Sequence, residues 1–150
     1  MNIKINLSRK CKYAIKAIFE LAIRDSALPV KIQDIAASQE IPPRFLEIIL
    51  AELKHGGFVE SQRGSEGGYF LAKPAKKITV GQVLSFLQKG NTRKETNEKQ
   101  RYTILGDYAF SEMIQKVNEA VSSIYDHATF AGLVEKELKI RNKYVPNYAI

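Results

Sequence analysis

A glycine-rich turn with an arginine at its start is the feature of this chain that most clearly points to chemistry. The segment reads Arg63-Gly64-Ser65-Glu66-Gly67-Gly68-Tyr69, with three glycines in five residues. Glycine supplies the positive φ angles of tight turns, and the flanking residues alternate as in short strands. The sequence therefore predicts a β-hairpin with Arg63 at its mouth. A guanidinium there can bind a phosphate or enter a DNA minor groove, whereas the alternative is an ordinary surface hairpin.

A second exposed arginine, Arg44, falls near the start of the predicted helix that precedes this hairpin. Pro42 and Pro43 suit a first helical turn, and Gly56-Gly57 suits a helix end. The predicted core face of this helix consists of Phe45, Leu46, Ile49, Leu50 and Leu53. A helix followed by a basic hairpin is typical of a winged helix-turn-helix, in which the helix occupies the major groove of DNA.

The charge of the chain favours a polyanionic partner. The 150 residues include 23 basic and 16 acidic residues, for a net charge of +7. Residues 1–90 hold 14 of the basic and 8 of the acidic residues, so the excess lies in the first part of the chain. The single cysteine excludes a disulfide framework within one chain. No apolar run approaches the roughly 18 residues of a membrane span, so we expect a cytoplasmic protein without membrane contact.

The elements that position these residues follow from apolar periodicity and capping residues. Ser8 is a candidate N-cap for a first helix, whose outer side is predicted to carry Lys12, Lys16, Glu20 and Arg24. Thr79 is a candidate N-cap for a further helix, and a long helix is predicted from about Ser111 to Ala128. The predicted fold is mainly α with a small β-hairpin wing. Its units are a winged helix-turn-helix head (1–89), a linker or sensor loop (90–110), a long helix with a short terminal helix (111–141) and a tail (142–150).

The long helix carries an apolar stripe that has few predicted partners in its own chain. Residues on this stripe are Met113, Val117, Val121 and Ile124. The stripe predicts a homodimer, with intrachain packing as the alternative. A two-fold dimer would place two reading heads about one DNA turn apart, which suits an inverted-repeat operator in double-stranded DNA.

Several short motifs occur along the chain in a fixed order. In the first three helices they are Leu7-Ser8-x-Lys10-x-x-Tyr13-Ala14, Ile32-x-x-Ile35-Ala36, Ile41-Pro42-x-x-Phe45-Leu46-Glu47 and Leu53-x-x-x-Gly57-Phe58-Val59-x-Ser61. From the wing onward they are Arg63-Gly64-x-x-Gly67-Gly68-Tyr69-x-Leu71-Ala72, Ile78-Thr79-x-Gly81-x-Val83 and Thr129-x-x-x-Leu133. With these motifs, residues 3–138 resemble the Rrf2 family of bacterial winged-helix transcription regulators.

The resemblance implies a DNA-binding transcription regulator, expected to be a repressor, rather than an enzyme. The implied DNA-binding residues are Ser8, Lys10, Tyr13, Pro43, Arg44, Glu47, Ile48, Arg63, Gly64, Ser65, Gly67 and Gly68. Glu47 could accept a hydrogen bond from cytosine N4 or be a solvated helix residue. Ile48 stands where relatives often have Gln, so it could touch a thymine methyl or simply pack. No catalytic constellation of Ser-His-Asp or Cys-His type and no phosphate-binding loop is present.

Many Rrf2 regulators hold an iron–sulfur cluster on three cysteines in the loop before the long helix. Residues 90–110 contain neither cysteine nor histidine, and the position before Tyr13 is Lys12, which cannot ligate a metal. The chain therefore resembles the cluster-free branch, with no cofactor and no metal site. Cys11 lies between Lys10 and Lys12, whose positive potential favours a reactive thiolate. The alternatives for Cys11 are a redox switch and an inert packing residue.

The end of the chain suggests a second function. The chain ends in Asn147-Tyr148-Ala149-Ile150. Cysteine synthase captures peptides that end in an isoleucine carboxylate, and some cluster-free Rrf2 regulators act with that enzyme. The tail ending at Ile150 therefore suggests a regulator that works through a protein partner; the alternative is that the last residue is isoleucine by chance.

Overall fold

The computed structural model describes residues 4–89 and 104–144. Helix α1 spans Arg9–Arg24, α2 Ile32–Gln39, α3 Pro43–His55, α4 Val80–Gln88, α5 Asp107–His127 and α6 Phe130–Tyr144. Strands β1 (Val59–Gln62) and β2 (Gly68–Leu71) form an antiparallel hairpin, followed by a short 3-10 helix at Ala75–Lys77. The predicted fold class, mainly α with a hairpin wing, is confirmed. Within these ranges, no helix has the length and apolar character needed to cross a bilayer.

Helix α1 is the central element of the core. The Ser8 hydroxyl accepts a hydrogen bond from the Cys11 amide at 3.2 Å, which confirms Ser8 as the N-cap. Ala14, Ala17 and Ile18 are fully buried, and the small alanines allow neighbouring helices to approach closely. Because α1 packs against α2, α3, α4 and α6, both ends of the chain contribute to one hydrophobic core.

Two residues differ in burial from what the sequence predicted. Phe45 was assigned to the core of α3, but 52% of it is exposed. At about 100° per residue, Phe45 falls roughly 90° from the middle of the arc formed by the four buried leucines and isoleucines of α3. Glu20 was assigned to the solvent side of α1, but it is only 4% exposed. The reason is that α1 has neighbours around most of its circumference, so part of its polar side is covered as well.

The two strands of the hairpin are hydrogen-bonded to each other, and β2 is also hydrogen-bonded to Val30, just before α2. In the β1–β2 register, Val59 pairs with Leu71 and Gln62 with Gly68. On its other side, β2 pairs with Val30 through two backbone hydrogen bonds of 2.8 Å, from Val30 N to Tyr69 O and from Tyr69 N to Val30 O. This bridge sets the position of the wing relative to the residues that open α2.

The C-terminal helices differ in extent from the prediction. Helix α5 begins at Asp107, inside the predicted linker, because Gly106 adopts a positive φ of 101° and the Asp107 carboxylate accepts a hydrogen bond from Ile104 N at 3.2 Å. Helix α6 is not short: it has 15 residues and extends to Tyr144, into the predicted tail. The predicted linker residues 90–103 and tail residues 145–150 lie outside the described residues.

The corner between α5 and α6 is bonded to the segment that opens α4. Val80 N donates to Ala128 O at 2.9 Å, and Phe130 N donates to Ile78 O at 3.0 Å. Phe130 itself is fully buried in the core. Thr79 caps α4 as predicted, in a reciprocal arrangement with Gln82. The start of α6 is therefore part of the packed head.

Candidate nucleic-acid interface

The wing turn is built so that only glycine fits at its critical positions. Gly64 has a φ of 108°, and its carbonyl accepts a hydrogen bond from Gly67 N at 3.0 Å. A Cβ on Gly67 would collide with the Gln62 carbonyl oxygen and lie 2.9 Å from the carbonyl carbon of Arg63. The tight closure leaves the Arg63 and Ser65 side chains exposed at the tip. The backbone thus presents a guanidinium outward, in the manner that a phosphate contact requires.

The outer face of α3 is the second part of this surface. Leu46, Ile49, Leu50 and Leu53 hold α3 against the core, so its opposite side is free. The predicted residues Pro43, Arg44, Glu47 and Ile48 are all exposed there, and Ile48 is 60% exposed. Because Phe45 is also exposed, this side of α3 offers apolar, cationic and anionic groups within two turns.

A cleft of about 580 Å³, here called the wing cleft, joins the hairpin to the starts of α2 and α3. It brings together most of the predicted wing and helix residues, namely Pro43, Glu47, Arg63, Gly64, Ser65, Gly67 and Gly68. Arg44 and Ile48 lie on α3 but do not line the cleft, and Ser8, Lys10 and Tyr13 on and before α1 lie apart from it. The predicted set is therefore one cleft with two flanking groups rather than one continuous patch.

Sequence reasoning missed Lys31 and Gln33, which also line the wing cleft. Lys31 occupies the N-cap position of α2, where no side chain caps the helix, so the first amides of α2 have no side-chain acceptor there. The positive end of a helix dipole and a lysine together favour an anion. A lysine just before the second helix was the available signal, but the wing turn that begins at Arg63 lies about thirty residues away in sequence.

Two of the candidate residues on α1 have surroundings that define their roles: Lys10 is in an ion pair, and Cys11 is buried. The Lys10 ammonium lies 2.6 Å from a Glu52 carboxylate oxygen, a half-exposed ion pair that joins the start of α1 to α3. Exposed pairs of this kind contribute about 0–1 kcal/mol, so Lys10 can exchange Glu52 for a phosphate at little cost. Cys11 is only 5% exposed within the core, and this burial limits its access to oxidants.

Helix α5 presents an apolar stripe on its outer side. Its most exposed large members are Phe110, Met113, Ile114, Val117 and Ile124, each between 52% and 69% exposed. Val121, also predicted on this stripe, is half-buried and borders the cleft between α5 and α4. The opposite edge of α5 packs on α4, where the Asp126 side chain lies against Gly81. Apart from Val121, the stripe therefore has no cover within the described part of the chain.

Residues 7–136 match the family model of Rrf2, described as an iron-dependent transcriptional regulator. The chain belongs to the Rrf2 family. It is 45% identical over 80 residues to Rv1287 of Mycobacterium tuberculosis, named as an HTH-type transcriptional regulator, covering 53% of this chain and 50% of the relative. It is 40% identical over 81 residues to the HTH-type transcriptional regulator IscR of Escherichia coli, covering 54% of this chain and 50% of IscR. The chain thus spans about half the length of these relatives.

Two solved structures of Rrf2-type regulators superpose on about nine tenths of this chain. IscR of T. potens superposes with a TM-score of 0.77 at 27% identity and covers 91% of each chain. CymR, the global cysteine regulator of B. subtilis, superposes with a TM-score of 0.74 at 26% identity, over 89% of this chain and 98% of CymR. The family and these relatives are transcriptional regulators rather than enzymes.

The donor set of this chain does not fit an iron–sulfur cluster. Such clusters are held mainly by cysteine thiolates, and the only cysteine, Cys11, is buried in α1. The segment from 90 to 110 contributes neither cysteine nor histidine. Across residues 4–89 and 104–144, no group of three His, Cys, Asp or Glu side chains is arranged to hold a metal ion. One cysteine per chain cannot supply the three thiolates of the family-type cluster.

Proposed function

We propose that this chain is a dimeric, sequence-specific DNA-binding regulator that acts without an iron–sulfur cluster. The observation that carries the proposal is the wing cleft, which is lined by Arg63, Lys31 and Glu47 and borders the start of α2, where no side chain caps the helix. Cationic groups and helix N-terminal amides are the usual contacts to DNA phosphates. A regulator that occupies an operator in this way would repress transcription.

Contacts to the backbone and contacts to bases would come from different parts of the surface. Arg63 and Lys31 flank the cleft and suit phosphate or minor-groove contacts, which position a protein on DNA but carry little sequence information. Arg44, Glu47 and Ile48 lie on the exposed side of α3 and suit base edges in the major groove. Arginine pairs with guanine, a carboxylate with cytosine N4, and an apolar side chain with a thymine methyl.

The apolar stripe of α5 supports the homodimer. Five large side chains with more than half of their surface exposed form a patch that an isolated protomer would leave in water. A second copy, related by a two-fold axis, would cover the stripe with the same residues. Two heads joined in this way would read an inverted repeat.

Titration of wild type and two variants against DNA tests the proposed function. An operator is first selected from a random duplex library, and binding to it and to a scrambled duplex is measured at several salt concentrations. Arg63→Ala should weaken both complexes and reduce the salt slope by about 1, because a phosphate contact is lost. Arg44→Ala should cost about 1–3 kcal/mol on the operator and less on the scrambled duplex, as loss of a base contact does.

A matched control is Arg141→Ala on α6, which removes the same charge from an exposed arginine paired with Glu137. This variant should bind both duplexes like wild type. Failure of wild type to select any sequence would overturn sequence-specific binding. Equal losses on both duplexes for Arg44→Ala would remove Arg44 from the base-reading set, and no loss for Arg63→Ala would show that the wing is only a surface turn.

A further inference from the structure

Glu20 is the one buried charged residue in the described part of the chain. It lies in α1, 4% exposed, about two turns after Tyr13, the nearest residue assigned to DNA contacts on that helix. An ionised carboxylate is expensive to bury unless hydrogen bonds compensate it. Burial alone raises the pKa of Glu20, but hydrogen bonds from Gln39, Arg24 and Ser38 lower it below the ordinary value. Glu20 is therefore an anion with a specific set of partners.

Its partners lie on two helices. The Arg24 Nε donates to Oε1 at 2.6 Å from the next turn of α1, and the Gln39 Nε2 donates to Oε2 at 2.7 Å from the last residue of α2. The Lys16 ammonium adds a longer contact, 3.4 Å, to the Gln39 carbonyl oxygen. The bonds from Gln39 and Ser38 connect α1 to α2, whereas the bond from Arg24 stays within α1.

The position of Gln39 gives its bond to Glu20 particular importance. Glu40 follows in the left-handed conformation with a φ of 52°, and Ile41 N closes the turn by donating to Ala36 O at 2.9 Å. Pro42 and Pro43 then open α3, so only three residues separate the bonded end of α2 from α3. Two consecutive prolines restrict the backbone of this connection. A displacement of the end of α2 would therefore displace the start of α3 by a similar distance.

We propose that Glu20 is a positioning residue for DNA reading, which holds Gln39 and thereby fixes the orientation in which α3 meets the major groove. The proposal rests on the proposed function and adds to it a residue that touches no DNA. A base contact such as that of Arg44 depends on an accurately placed helix, whereas phosphate contacts tolerate displacement better. Loss of the Glu20–Gln39 bond should therefore reduce the discrimination between operator and scrambled DNA more than it reduces binding in general.

The test compares Gln39→Ala with Arg24→Ala, since each removes one hydrogen bond from the same carboxylate. Gln39→Ala removes the 2.7 Å bond between the helices and leaves the Ser38 bond in place, and Arg24→Ala removes the bond and ion pair within α1. Arg24 ends α1 and lies about 16 Å along the helix axis from Tyr13, so its charge is remote from the proposed DNA contacts on that helix. Both variants are characterised by thermal unfolding and by titration against the selected operator and a scrambled duplex, below the unfolding transition.

We expect Gln39→Ala to lower operator affinity about tenfold while affinity for the scrambled duplex changes less than about threefold. Arg24→Ala should keep the wild-type ratio of the two affinities, even if it lowers the unfolding temperature as much as Gln39→Ala does. If Gln39→Ala does not fold, Gln39→Asn takes its place, because it keeps the amide but is too short to bridge to Glu20.

The outcomes separate the two proposals. A wild-type protein that prefers no sequence contradicts the proposed function itself. A selective wild type with an equally selective Gln39→Ala variant contradicts only the positioning role. Equal loss of selectivity in Gln39→Ala and Arg24→Ala also contradicts it, because Glu20 would then act through the general stability of α1.

Discussion

Replacement of Gly68 by alanine should detach the wing from α2. Gly68 opens β2 and lies against the backbone of Val30. A methyl group there would collide with the Val30 carbonyl oxygen and lie 2.6 Å from the Val30 carbonyl carbon and 3.0 Å from Lys31 N. These are backbone atoms, which cannot turn aside as a flexible side chain does. The strand must therefore move away from Val30.

The size of the effect follows from the two hydrogen bonds that hold the strand there. Both bonds between Val30 and Tyr69 are 2.8 Å long. Each backbone hydrogen bond contributes roughly 0.5–1.5 kcal/mol net, so their loss should lower the free energy of unfolding by about 1–3 kcal/mol. For a protein of this size, Tm should fall by roughly 2–4 °C for each kcal/mol. Affinity for DNA should fall as well, because Arg63 loses its fixed position in the wing cleft.

Gly64→Ala is the matched control in the same hairpin. Its new Cβ would meet no atom within 4 Å, although the φ of 108° strains an alanine. Both variants can lose stability, but only Gly68→Ala should break the bridge. Amide hydrogen exchange distinguishes them, since Val30 and Tyr69 amides should lose protection in Gly68→Ala and keep it in Gly64→Ala. Protected Val30 and Tyr69 amides in a Gly68→Ala protein of wild-type stability would refute the steric reasoning.

Three further predictions concern assembly, metal content and acid stability. Val117→Asp should give a monomer in light scattering and weaken operator binding, because it places a charge in the apolar stripe. The control Gln115→Asp changes a residue about 160° around α5 from Val117 and should stay dimeric. A dimeric Val117→Asp protein would refute this interface. Anaerobically purified protein should contain no stoichiometric iron or acid-labile sulfide by chemical assay, and a visible cluster absorbance would contradict this. Because the folded pKa of Glu20 lies below its ordinary value of 4.5, the stability that it contributes is complete above that value and is lost as pH falls through the folded pKa. Glu20→Gln should therefore show a smaller loss of unfolding free energy in acid titrations than wild type, and an unchanged acid slope would count against the lowered pKa.

The sequence predicted those features that depend on local chemistry. The glycines of the wing, the caps at Ser8 and Thr79 and the apolar period of α5 are local signals, and each led to the observed element. Features that depend on three-dimensional neighbours were missed. Glu20 has the pattern of a solvated helix residue until α2 is placed beside it, and Lys31 joins the wing cleft only through the bridge between Val30 and Tyr69.

Phe45 shows the same limit in the opposite direction. Its type favours burial, and it is adjacent to Leu46, which is fully buried. The helical angle places it at the edge of the buried arc, a distinction that composition does not resolve. An exposed aromatic ring beside Arg44 and Ile48 extends the candidate base-reading surface beyond the residues predicted from sequence.

The bonded corner between α5 and α6 has a consequence for how tolerant an operator can be. Val80–Ala128 and Ile78–Phe130 hydrogen bonds and the buried Phe130 ring join α5 to the head without a flexible hinge at this corner. In a dimer built on α5, the distance between the two heads would therefore be set by rigid helices. One inserted base pair between half-sites moves them apart by about 3.4 Å and rotates them by roughly 35°. Such a dimer would bind with high affinity only at one spacing of the half-sites. A genome sequence with correct half-sites but one extra base pair between them would therefore be bound weakly.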